Sequence, residues 1–268
     1  MIVSLDGPSS PRIVGAWRLC VVANGRGAEP RWLDVAPERV DRWLADFTAR
    51  HGSVSTTIDD GAVVTFRAAD GAVAECHIPF PPLCGAGDDR VAGDDLGAGD
   101  DLGAGDDLGA GDGRDLAAQM AAHSAADRTV GVLLVRLGGY AAGVFSGAPP
   151  RLVSSKVGSR LVHGRSAAGG QSQQRFARRR EKQAREALAA AADCAAAVFG
   201  PYAGRLEAVV LGGDKRSFGP LREDTRLRPY FQLVVDRFLT VPDPRLAVLQ
   251  GTPRLFQAVQ IRLTESAS

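Results

Sequence analysis

The sequence predicts an α/β (α+β) protein: a mixed β-sheet with a long basic helix after a Gly-Gly-Gln loop, plus a small N-terminal α+β domain. Apolar runs between residues 129 and 162 precede a long helical stretch, and another apolar run follows it. Strands that alternate with helices in this way are typical of an α/β domain. A segment rich in Gly and Asp separates this part from the N-terminal third, and 268 residues suffice for two small domains with a core.

The N-terminal unit is predicted to span residues 1–84. Its helix lies at 36–52, where Val40, Leu44 and Phe47 recur at helical spacing. Short apolar runs bounded by turn residues predict four strands. They lie at 15–23, 53–59, 62–68 and 73–80.

Residues 85–116 are predicted to form an acidic, disordered linker. Residues 85–115 contain ten Asp and two Arg, a net charge of −8, in a six-residue repeat. Such a segment cannot bury enough apolar surface to offset the entropy of ordering it. A calcium-binding β-roll is the alternative, but its repeat has nine residues and another glycine pattern.

The second unit is predicted to span residues 125–265. Its long helix runs from about Ser172 to Phe199 and ends at Gly200-Pro201, and a shorter helix is predicted near 222–236. Strands are predicted at 129–139, 140–147, 150–162, 206–213, 237–241 and 255–263.

Composition excludes several classes of protein. Since no run of about 18 uncharged apolar residues occurs, no transmembrane helix and no membrane partner are expected. The N-terminus lacks a secretory pattern and the four cysteines are scattered, which indicates reduced thiols and a cytoplasmic protein. Cys76, His77 and Cys84 fit no common zinc spacing and lack a fourth ligand, so we expect no metal site. We also expect no cofactor and a monomeric protein.

Local charge predicts an RNA-binding surface on the long helix. Residues 151–186 contain ten Lys or Arg and two Glu, a net charge of +8. At 100° per residue, one side of the helix is basic and the other apolar, although Arg180 breaks the separation. The basic side carries Arg175, Arg178, Arg179, Lys182 and Arg185, and Arg165 lies in the loop before the helix. The apolar side carries Phe176, Ala184, Ala187, Leu188, Ala191, Ala195 and Val198.

Gly169, Gly170 and Gln171 form a triplet directly ahead of this helix. The triplet alone is weak, because glycines at a strand-to-helix turn can simply supply positive φ angles. Its position in a long loop before a basic helix strengthens the functional interpretation.

The stretch "HGRSAAGGQSQQRFARRREK" resembles the catalytic-loop segment of archaeal and eukaryotic class-I release factors, which carry a GGQ loop, a Ser and an R-F-A-R-x-R helix. The upstream hairpin and "AVVLGGDKRSF" also match positions in that family's central domain, so the resemblance covers about 130–265. No N-I-K-S stop-codon motif is found, and the insertion "SAA" lengthens the approach to the glycines. The chain is most similar to the Vms-like release factor (VLRF) family, in its actinobacterial branch.

The resemblance implies a peptidyl-tRNA hydrolase that frees nascent chains from stalled large ribosomal subunits. Its partners would be the large subunit, peptidyl-tRNA and ribosomal RNA. Gly169 and Gly170 would let the backbone approach the ester closely, and Gln171 would stabilise developing charge and position water. His163 as a general base is a weaker alternative.

Two further functions stay open from the residues. The same loop could support endonucleolytic cleavage near the CCA end of peptidyl-tRNA. Alternatively, the protein could be a non-catalytic ribosome- or RNA-binding factor in which the triplet is incidental.

Overall fold

The computed structural model describes residues 29–83, 112–136, 138–160 and 172–266. The strands are β1 (Arg31–Val35), β2 (Val54–Asp59), β3 (Val63–Ala68), β4 (Val73–His77), β5 (Val130–Arg136), β6 (Gly139–Ser146), β7 (Arg151–Ser159), β8 (Ala208–Gly213), β9 (Val234–Leu239) and β10 (Val259–Thr264). The helices are α1 (Val40–His51), α2 (Asp112–Ala125), α3 (Ser172–Phe199), α4 (Phe218–Arg222), α5 (Arg228–Phe231), α6 (Leu246–Gln250) and α7 (Pro253–Phe256). The predicted α/β class is confirmed, with two separate five-stranded sheets.

The first sheet is antiparallel and has the order β1-β10-β4-β3-β2. One face packs against α1 and α2, and Phe47, Phe66 and Met120 are fully buried between these layers. The apolar residues of the strands alternate with polar ones, as expected for a sheet with one buried face. The helix predicted at 36–52 and the strands predicted at 53–59, 62–68 and 73–80 are therefore confirmed in this layer.

The last strand of the chain, β10, belongs to the first sheet. The sequence predicted a strand at 255–263 within the second unit, but β10 pairs with β1 and β4 instead. Val259, Ile261 and Leu263 are buried and alternate with half-buried residues. This pattern identifies a strand with one buried face but carries no information about which sheet it joins. The division into units 1–84 and 125–265 remains a prediction.

The second sheet is mixed and has the order β7-β6-β5-β8-β9. Strands β5, β8 and β9 are parallel, β6 pairs antiparallel with β5, and β7 pairs antiparallel with β6 at the end of the sheet. In β5 the first six residues are buried, because α3 covers one face and α6 and α7 lie under the other. This sheet is the platform on which α3 rests.

Two further sequence predictions differ from the structure. The helix predicted near 222–236 is wrong: α4 ends at Arg222, α5 is four residues long, and Val234 already begins β9. The Asp224 carboxylate accepts a hydrogen bond from the Arg226 backbone N–H at 2.9 Å, which stabilises a turn between the short helices. The end of the predicted linker at 112–116 lies in α2, whereas residues 84–111 and the strand predicted at 15–23 lie outside the described residues.

Ile261→Ala should lower the free energy of unfolding by about 2–4 kcal/mol, because the Ile261 side chain is fully buried between the first sheet and its helices. Urea unfolding followed by tryptophan fluorescence measures this, since Trp32 and Trp43 both lie in this part of the fold. Ile261→Val is the matched control and should cost about 0.5–1.5 kcal/mol. An unchanged tryptophan transition in Ile261→Ala would contradict the pairing of β10 with the first sheet.

Within the described ranges, no helix is long and apolar enough to cross a membrane. The same residues contain no group of three or more His, Cys, Asp or Glu side chains that could hold a metal ion. Cys76 is buried in the first sheet, where desolvation raises the pKa of its thiol, and Cys84 lies outside the described residues.

Candidate functional site

One edge of the second sheet connects the elements of the candidate site. Because β5, β8 and β9 are parallel, their last residues, Arg136, Gly213 and Leu239, lie at the same edge, which we call the carboxyl edge. Strand β6 begins at this edge and β7 ends there, since Gly139 lies opposite Ser159. The chain therefore leaves β7 at the carboxyl edge.

The segment between β7 and α3 contains the residues predicted to act in catalysis. The Arg160 backbone N–H donates to the Gly138 carbonyl at 2.8 Å and fixes the end of β7. Residues 161–171, with Arg165, Gly169, Gly170 and Gln171, lie outside the described residues. Their assignment to catalysis and RNA binding therefore stays a prediction. Ser172, the first residue of α3, follows Gln171 directly in the chain.

The C-terminal half of α3 packs on the second sheet. Its buried face contains Ala187, Ala191, Ala195, Val198 and Phe199. The alanines allow a close approach to the strands, and the Cys194 Sγ donates to the Lys156 carbonyl at 3.3 Å. The bounds predicted for the helix and its apolar side from Ala187 onward are confirmed.

The preceding part of α3 has a different environment. We call Arg178–Glu186 the projecting segment, because none of its residues is buried. Ala184 was predicted on the apolar side and is exposed, so that prediction is wrong. The reason is that Leu188 packs in the same cluster as Tyr140, the second residue of β6, so the helix has already reached the carboxyl edge there.

The length of this part of α3 follows from helix geometry. Fifteen residues, 172–186, precede Ala187, the first buried residue described in the helix. At 1.5 Å per residue these fifteen residues form about 22 Å of helix ahead of Ala187. Since none of residues 178–186 is buried and Leu188 already packs near the carboxyl edge, this part of α3 extends past that edge.

The projecting segment carries a concentration of positive charge. Arg178, Arg179 and Arg185 are exposed, and Lys182 is paired only loosely, with its Nζ 3.9 Å from the Glu186 Oε1. Arg180, which broke the predicted separation of faces, is half-buried.

The start of α3 adds to this positive charge. The first turn of α3 contains no acidic residue, and the N-terminus of a helix is the positive end of its dipole. Arg175 lies within α3, but its side chain is not among those described. An anionic partner would compensate for this charge.

Sequence reasoning did not single out a second basic element at the carboxyl edge. Strand β8 is followed by Asp214, Lys215 and Arg216, and Lys215 and Arg216 are exposed. The Asp214 carboxylate accepts from the Arg216 backbone N–H at 3.0 Å and caps this turn. The signal in the sequence was Gly212 and Gly213 at the end of a buried strand, followed by Asp214, a pattern typical of a tight turn.

The comparison with protein families covers the second sheet and α3. A model of the Actinobacteria/Chloroflexi VLRF1 release factor family matches residues 128–262, which is 135 of 268 residues. A search of curated proteins found no match to the chain.

Solved structures with distant similarity to the chain include the following three proteins. An archaeal translation termination factor, aRF1, is 12% identical, with 83% of this chain and 73% of that chain covered and a TM-score of 0.36. The Vms1 mitochondrial localization core is 9% identical, with 83% and 80% covered and a TM-score of 0.34. Dom34 of S. cerevisiae, described as a translation termination-like factor involved in RNA quality control, is 8% identical, with 84% and 64% covered and a TM-score of 0.25.

The match to the family model spans half of the chain and includes every element that forms the carboxyl edge together with α3. The chain therefore belongs to the Actinobacteria/Chloroflexi VLRF1 release factor family.

Proposed function

We propose that this protein is a peptidyl-tRNA hydrolase of the release-factor type. It frees nascent chains from stalled large ribosomal subunits by hydrolysing the ester between the peptide and the terminal adenosine of the tRNA. Gly169, Gly170 and Gln171 form the catalytic loop. The protein acts in the cytoplasm as a monomer and without a cofactor.

The observation that carries this proposal is the extension of α3 beyond the sheet. The ester of peptidyl-tRNA lies deep in a cavity with RNA walls, so a hydrolase has to deliver a narrow probe into it. A single helix of about 10–12 Å diameter that extends about 22 Å from the sheet is such a probe. Gln171 precedes the first residue of this helix, so the triplet is attached to its outer end.

The chemistry assigned to the loop needs no strong base. Glycines at 169 and 170 allow close approach of the backbone, since they have no Cβ atom. The Gln171 backbone N–H stabilises negative charge that develops at the ester, and its side-chain amide positions the attacking water. The RNA, including the ribose hydroxyl of the tRNA, handles most of the proton transfer.

The cationic side chains of α3 and of the loop before it provide the affinity for RNA. Arg165, Arg175, Arg178, Arg179, Lys182 and Arg185 contact phosphates of ribosomal RNA and tRNA. Neutralising phosphates releases counterions, so binding to the subunit weakens as the salt concentration rises. The exposure of Arg178, Arg179 and Arg185 supports this assignment.

The proposal is tested by a release assay on isolated large subunits that carry labelled peptidyl-tRNA. Addition of the wild-type protein should free the label with multiple turnovers per protein molecule, and buffer alone should not. A protein that binds these subunits in a salt-sensitive way and frees no peptide would instead be a non-catalytic ribosome-associated factor.

Charge reversal at Arg178 and Arg179 should weaken binding to the large subunit about tenfold or more and reduce the salt dependence of binding. Both side chains are exposed, so the change should not disturb the fold. Co-sedimentation at several salt concentrations measures the effect. The matched control is Arg151→Glu with Arg205→Glu, the same charge change at exposed residues at the opposite edge of the sheet. Equal binding of both double variants would remove the assignment of phosphate contacts to α3.

A further inference from the structure

We infer that the turn after β8 is a second RNA-binding element, in which Lys215 and Arg216 bind phosphates of the tRNA acceptor stem. This inference rests on the proposed function, because it takes peptidyl-tRNA as the substrate. We call residues 214–217 the Asp214 turn.

The Asp214 turn is held rigidly against β5. Gly213 has φ of +105°, and a Cβ atom there would lie 2.3 Å from the Val135 carbonyl oxygen, so only glycine fits. The Asp214 backbone N–H donates to the same Val135 carbonyl at 2.8 Å. The Ser217 N–H donates to the Asp214 carbonyl at 3.0 Å and completes the turn.

The charges of the Asp214 turn are available for a ligand. Among the residues that the structure describes, no ion pair is recorded for Lys215 or Arg216. The nearest carboxylate in sequence, Asp214, is already engaged as the cap of the turn. The Lys215 Nζ lies 5.3 Å from the centre of the Phe238 ring, which limits the range of its side chain while the ammonium stays exposed.

The position of the turn relative to α3 selects the tRNA as the partner. Strands β7 and β8 are three strand spacings apart in the sheet, so the turn lies at the same edge as the point where the chain leaves β7, about 14 Å from it. The turn leads directly into α4, and Phe218 and Leu221 of α4 pack in the same core cluster as α3. The turn therefore lies at the base of the helix whose outer end is about 22 Å away.

This separation corresponds to a definite length of RNA. With the ester at the outer end of α3, a strand of stacked nucleotides at about 3.4 Å each needs six to eight nucleotides to reach the turn. The strand that is covalently attached to the ester is the 3′ strand of the acceptor stem. A pair of cations on a rigid turn at this distance is suited to phosphates of the stem, beyond its unpaired 3′ end.

The test compares two kinds of large ribosomal subunit, one carrying peptidyl-tRNA and one vacant. Lys215→Glu with Arg216→Glu should weaken binding to the tRNA-bearing subunits about tenfold and leave binding to vacant subunits within twofold. Phosphate ethylation of the tRNA should interfere with binding of the wild type at the sixth to eighth phosphates from the 3′ end. That interference should be absent for the double variant.

Controls separate the outcomes. The double variant Arg151→Glu with Arg205→Glu should bind both kinds of subunit like the wild type. The double variant Lys215→Ala with Arg216→Ala removes the charges without reversing them, so it should lose less affinity for the tRNA-bearing subunits than the Glu variant. An equal loss of affinity on vacant and tRNA-bearing subunits would overturn the inference in favour of a ribosomal RNA contact. Unchanged binding of both turn variants would overturn it altogether. Since binding is measured without peptide release, a failure of the proposed hydrolysis would show separately, as binding with no freed peptide.

Discussion

Gln171→Ala is expected to lower the rate of peptide release by about 100-fold or more while leaving binding to the large subunit nearly unchanged. The amide of Gln171 is assigned to positioning water at the ester, and small errors in the placement of a reacting group are costly in rate. Gln171 carries no charge, so the phosphate contacts of the protein stay in place. Single-turnover release at saturating protein concentration separates the rate of the chemical step from affinity.

Gln173→Ala is the matched control, because it makes the same chemical change two residues further along the chain. It should release peptide at close to the wild-type rate. Release by Gln171→Ala at the rate of the control would refute the catalytic role of the triplet. A parallel loss of binding and release in Gln171→Ala would assign Gln171 to binding rather than to catalysis.

Deletion of residues 179–185 is expected to abolish release even at saturating protein concentration. Seven residues are close to two helical turns, so the deletion shortens α3 by about 10 Å and rotates its start by only about 20°. No residue in the deleted stretch is buried, so thermal unfolding should be nearly unchanged. The loop would then stop short of the ester.

This deletion also removes charge, so its control is a variant of full length that lacks the same charged side chains. Replacing Arg179, Arg180, Glu181, Lys182 and Arg185 with Gln keeps the length of the helix and removes the same charges as the deletion. This variant should bind more weakly than the wild type but recover release when its concentration is raised. Full release by the deletion variant at saturating concentration would contradict the claim that the length of α3 brings the loop to the ester.

Much of the fold follows from local sequence patterns. The bounds of α3 were predictable because an uninterrupted helical pattern ends at Gly200-Pro201, which cannot continue it. Strands β5 and β6 were predictable from two apolar runs that lie on either side of a glycine turn. These signals are local, so they need no knowledge of the rest of the chain.

Other features depend on contacts between distant residues. Strand β10 joins β4, whose partner residues are almost 190 positions away, and alternation within β10 cannot specify that partner. Ala184 was assigned to a packed face because a helical projection does not show where the supporting sheet ends. The Asp214 turn was overlooked as a binding element because its proximity to α3 arises only when β8 pairs beside β5.

The most direct test of the central claim is the chemical identity of the two products formed by the wild-type protein. Large subunits carrying peptidyl-tRNA with separately labelled peptide and tRNA are treated with the protein, and both products are analysed at their ends. Ester hydrolysis predicts a peptide with a free carboxyl terminus and a tRNA with an intact CCA end. A peptide that retains nucleotides, with a correspondingly shortened tRNA, would contradict the account and identify a nuclease.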